Sequence, residues 1–184
     1  MNDLEFSNAS GDKPDSGNSA APQQKENSSG RGKNNLKYGE ITAPVSIERI
    51  CAIFDAAGWK YNLADSELQS GFGGKPFIIT YNTESNCLDL TSLLISGVSE
   101  IPENDVLGFI EEWHHTKILP KAYLFRTEDG EALIRLEHML LFADAEERIF
   151  GATDAQLAGY LEQFIFSALA FFEEFNNFFG KGEI

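Results

Sequence analysis

Histidine pairs, thiols beside histidines and paired carboxylates are the places where chemistry would begin in this chain. The stretch WHHTKILPKA, residues 113–122, holds two of its three histidines, His114 and His115; the third is His138. Two imidazoles could grip a metal ion, or one could act as a general base. Their spacing speaks against a shared ion, because neighbours on a helix point about 100° apart. The productive helical spacing, i and i+4 as in H-E-x-x-H, is absent. The bland reading is a structural corner. Polar or cationic side chains at a helix C-terminus interact well with its last carbonyls. Pro120 keeps the helix from running on, Lys117 and Tyr123 flank the turn, and Trp113 anchors it in the core. Cys51 and Cys87 have no histidine near them in sequence and read as reduced, small buried hydrophobes. No G-x-S-x-G elbow is present. Gly71, Gly73 and Gly74 neither follow a parallel strand nor open a helix, so they mark a turn and not a phosphate cradle. The adjacent acids Glu111/Glu112, Glu146/Glu147 and Glu173/Glu174 splay apart on a helix and read as solvated faces. The expectation is a chain with no catalytic residue, no cofactor and no metal.

The elements that would position such residues occupy only part of the 184 residues. Residues 1–40 are rich in Ser, Asn, Gly, Gln and Pro, and their few apolar residues show no period. Such a segment buries too little apolar surface to offset its ordering entropy, so a disordered tail is expected. Residues 41–184 are read as one domain. The net charge of −15 divides into −1 for the tail and −14 for the domain. That balance speaks against nucleic acid and anionic lipid as partners and suits a partner with a basic surface. No secretory signal and no apolar run of about 18 residues is found, so a soluble cytoplasmic protein is expected.

Ser46 opens a helix whose Ile47, Ile50, Cys51, Phe54 and Ala57 form one apolar stripe, and Gly58 stops it. Trp59 to Leu63 is a short strand candidate. PFIITY (76–81) and CLDLTSLLI (87–95) form a hairpin around NTESN. Pro102 opens a second helix with Val106, Ile110 and Trp113 on its inner face. KAYLFRT and EALIRLEHMLL are two more strands joined at Glu128-Asp129-Gly130. Thr153-Asp154-Ala155-Gln156 is a capping-box pattern that starts the last helix. The order α-β-β-β-α-β-β-α predicts an α+β fold, an antiparallel sheet packed against helices.

The last helix carries seven phenylalanines. Leu157, Leu161, Phe164, Ala168, Phe171, Phe175 and Phe178 form a stripe expected on the sheet. Tyr160, Phe166, Leu169, Phe172 and Phe179 fall partly off it, giving an apolar arc wider than one packing surface needs. Surplus apolar surface of that kind marks an interface. Phe166, Leu169, Phe172 and Phe179 are the candidate interface, with a second copy of the chain in a two-fold contact as the leading occupant.

Trp113, Lys117, Pro120-Lys121-Ala122-Tyr123, the Asp129-Gly130 hairpin and Gly151-Ala152-Thr153 together resemble the YbjN-type domain family, described as a bacterial sensory-transduction regulator. The likeness covers about 45–179. Where the family pattern has Asn after the Trp and an aromatic before the Pro, this chain has His114 and Leu119. The family resembles type III secretion chaperones in fold. The resemblance implies a protein-binding and dimeric module without catalytic residues, a regulator or chaperone-like adaptor in bacterial signalling or stress response. The competing reading is a small-molecule sensor with an apolar pocket between the sheet and the C-terminal helix.

Overall fold

The computed structural model describes residues 42–94, 97–143 and 149–180. The polar tail 1–40 and the Glu146/Glu147 pair lie outside the described residues. Three α-helices are described: α1 (Ile47–Ala57), α2 (Glu103–Thr116) and α3 (Asp154–Phe178). Six strands accompany them: β1 (Tyr61–Ala64), β2 (Glu67–Phe72), β3 (Lys75–Asn82), β4 (Cys87–Leu94), β5 (Lys121–Arg126) and β6 (Ala132–Leu141). They form one sheet in the order β1-β2-β3-β4-β6-β5, every neighbouring pair antiparallel. The α+β class and the sequence of elements are as expected, with β2 as an addition.

Alternation along the strands assigns the two faces. Leu68, Phe77, Ile79, Leu88, Leu90, Leu94, Ile134 and Leu136 are buried on the face that carries the helices. Phe164 of α3 meets Phe77 edge-to-face at 5.8 Å, and α3 buries Leu157, Leu161, Ala168, Phe171 and Phe175 in the same layer. The opposite face is mixed. Arg135 bridges Asp89 at 3.3 Å and Glu137 at 2.8 Å there, while Tyr123, Phe125, Met139 and Leu141 are exposed.

The predicted caps are formed. Ser46 accepts from the Arg49 amide, and Gly58 sits in the left-handed region with φ 70° that a helix C-terminus favours. Thr153 and Gln156 close a reciprocal capping box at 3.1 and 2.9 Å. Arg49 ties the two helix starts together. Its guanidinium donates to the carbonyls of Ala43, Pro44 and Ala152 at 2.7–2.8 Å and pairs with Asp154.

Candidate functional site

The corner 113–122 is held by hydrogen bonds to its own polar groups. The Lys117 amide closes α2 on the Trp113 carbonyl at 2.7 Å. The buried Trp113 indole donates to the Pro120 carbonyl at 3.1 Å, and the Leu119–Pro120 peptide is cis. His114 Nε2 accepts from the Ala122 amide at 2.9 Å, which fastens the helix end to the start of β5. Lys117 lies over the Trp113 ring, 5.5 Å from its centroid, and pairs with Glu174 of α3 at 3.2 Å. The Trp113 ring in turn packs on Phe171 at 5.0 Å. Trp113, Lys117 and Pro120 thus join α2, β5 and α3, while Tyr123 sits on the outer strand with its side chain exposed.

The three histidines do different things. His114 is engaged as an acceptor, His115 is exposed, and His138 lies half-buried on β6 opposite Leu90. Among the described residues no three of His, Cys, Asp and Glu gather closely enough to hold a metal ion. Burial lowers the pKa of both His114 and His138 below the ordinary 6.5, with Lys121 adding a smaller repulsion at His114. Lowered folded-state values mean the unfolded chain binds more protons, so these groups' contribution is complete above pH 6.5 and is lost as pH falls through the folded values. The urea midpoint should therefore fall between about pH 7 and pH 5.5, and His114→Gln/His138→Gln should flatten that fall. An equal slope in the double variant would remove the histidines as its source.

The four residues of the expected interface differ in exposure within the chain. Phe172 is 3% exposed, with the Lys75 ammonium 5.8 Å from its ring centroid. Leu169 is half-buried against the β2–β3 turn, where a Cβ on Gly73 would stand 3.0 Å from Leu169 Cδ2. Phe179 packs on Phe175 and Phe178 at 4.7 and 4.9 Å. Phe166 is 69% exposed but points roughly 120° away from Phe172 around the helix. The β2–β3 hairpin meets Leu169 and Phe172, Phe179 packs among the aromatics of α2 and α3, and Phe166 is the one of the four left largely exposed. Phe178, expected on the sheet, is instead 68% exposed.

What α2 leaves uncovered is a groove of about 810 Å³ between it and the end of α3. Phe109, Trp113 and Phe179 form its floor, Phe178 stands at its lip, and Asp105, Glu112 and Glu174 are among its lining. Phe109 touches Phe178 and Phe179 at 5.4 and 5.9 Å between ring centroids. Sequence reasoning overlooked Phe109. Its spacing of three from Val106 and four from Trp113 was the available signal, since that places it on the edge of the inner face.

One antiparallel sheet with helices on one face, a helix-to-strand corner closed by an indole and a groove between two helices define the class, an α+β sheet-and-helix domain. The chain belongs to the YbjN family, described as "putative bacterial sensory transduction regulator", whose family model matches residues 46–177. Among solved structures it is similar to the crystal structure of YbjN, "a putative transcription regulator from E. coli", with a TM-score of 0.61 and 13% identity over 74% of this chain and 96% of that one. At that identity the likeness is one of fold. None of the curated proteins compared with the chain matches it.

Proposed function

We propose that the domain is a non-enzymatic regulator or chaperone-like adaptor that acts by binding another protein in the groove between α2 and α3. The observation that carries this reading is Phe178, an aromatic side chain 68% exposed at the lip of an aromatic-floored groove. An exposed apolar surface beside a concavity is the usual mark of a recognition site. The family description as a regulator supports the same reading. The sensor alternative has less support, because Phe77, Phe164, Leu161 and Ala168 fill the layer between sheet and α3. The test is a photo-crosslinking amino acid, p-benzoylphenylalanine, placed at Phe178 in living cells, with the same group at the exposed Leu63 as control. A discrete protein adduct from the Phe178 position alone is expected. Self-pairing would be read from the same gel as an adduct of twice the chain mass. Equal yields from both positions would overturn the reading.

A further inference from the structure

We infer that the occupant of the α2–α3 groove is a basic amphipathic helix of a partner protein, an inference that rests on the protein-binding reading above. Three observations carry it. The first is charge. Asp105, Glu112 and Glu174 line the groove, and no Lys or Arg is among the residues that line it. The last turn of α3 also has no basic residue, so the negative end of its dipole adds to the acidic side chains at that end of the groove. Lys117 sits just outside, already paired with Glu174 and stacked on Trp113, and shows how an ammonium seats at this wall.

The second is shape. The α2 wall runs from Asn104 to Thr116, roughly 18 Å at 1.5 Å per residue, which is three turns of a matching helix. The third concerns the backbone. The groove is walled by the side chains of two helices, and no sheet edge is among its lining residues. An extended peptide would find no ladder to pair with there, whereas a helix satisfies its own N–H and C=O groups. Apolar side chains of the guest would meet the phenylalanine floor. Its Lys or Arg residues would meet the acids and the faces of the exposed rings. A second copy of this chain is a poor occupant, since the domain carries a net charge of −14.

The test titrates the full chain with an acetylated Leu/Lys amphipathic helix of about fifteen residues and with its Leu/Glu twin, by fluorescence anisotropy. The Lys peptide should bind at least about tenfold tighter than its twin and weaken as salt rises. Glu112→Lys/Glu174→Lys should weaken it about tenfold. The control Glu84→Lys/Glu128→Lys changes net charge equally, on exposed turns away from the groove, and should weaken it far less. Phe178→Ser should also reduce affinity. Equal loss in both charge-reversal variants would mean diffuse attraction and would overturn the proposal. Equal affinity for the two peptides would overturn the basic occupant yet leave the crosslinking result at Phe178 standing. If neither peptide binds and no adduct forms at Phe178, both readings fail together.

Discussion

Replacing Trp113 with Ala should cost the domain about 3–5 kcal/mol, the range for truncating a buried aromatic. Trp113 is 4% exposed, packs on Phe171 and stands where α2, β5 and α3 meet. Two losses combine there. The indole volume leaves a cavity under Phe171, and the Pro120 carbonyl loses its donor. Trp113→Phe separates them. It keeps much of the apolar bulk and removes the N–H, so it should cost about 1–2 kcal/mol more than a volume-matched swap. Urea unfolding checks both through a midpoint shift at unchanged slope. An alanine variant within about 1 kcal/mol of the parent would mean that the corner is held by His114 and Lys117 and not by the ring. The groove gives a second readout, because Trp113 is part of its floor. The Phe variant should keep peptide binding within a few-fold, while the Ala variant should lose it even where it stays folded.

That corner was legible in the sequence because a Trp, a helix-ending polar pair and a Pro in ten residues have few other uses. The role of His114 was not. Which imidazole nitrogen meets which amide depends on where β5 starts relative to the end of α2, and no local pattern encodes that distance. The caps of α1 and α3 were legible for the opposite reason: Ser46, Thr153 and Gln156 act on amides within three residues of themselves.

β2 was missed, and its residues explain why. ELQSGF has two apolar positions, Leu68 and Phe72, and a glycine between them, too little alternation to stand out. Its flanking turns are two-residue hairpins with positive φ at both centres, Asp65-Ser66 and Gly73-Gly74. The second carries the glycines that such a turn favours. The first uses Asp-Ser, a weak signal, so the strand between them had only one clear boundary.

The apolar arc on α3 was legible in the sequence as a width, but the neighbours that cover parts of it were not. Helix periodicity says how many directions are apolar, but not which neighbours arrive to cover them. The β2–β3 hairpin takes Leu169 and Phe172, while Phe109 of α2 takes Phe171, Phe175 and Phe179. The uncovered remainder is therefore in two places, around Phe178 at the end of the helix and at Phe166 on its outer side.

Gly151→Ala should destabilise the domain by about 2–3 kcal/mol, although the substitution adds a single methyl group. The reason is the Ala43–Ala152 bridge, where the two backbones exchange hydrogen bonds of 3.0 and 3.2 Å. A Cβ on Gly151 would stand 2.3 Å from the Ala43 oxygen and 2.5 Å from its carbonyl carbon. Those are backbone atoms, so no rotamer change relieves the clash. The bridge must open, and its opening moves the carbonyls of Ala43 and Ala152 that hold the Arg49 guanidinium. Arg49→Lys gives the independent comparison. It keeps the positive charge near Asp154 but cannot reach several carbonyls at once, so it should reproduce part of the loss while leaving the Gly151 contact intact. The combined variant decides the mechanism. If Gly151 acts by displacing the Ala43–Pro44 segment that Arg49 clamps, the two losses should fall short of additive by at least about 0.5 kcal/mol. Full additivity would mean that the close approach at Gly151 and the guanidinium clamp stabilise the start of α3 separately.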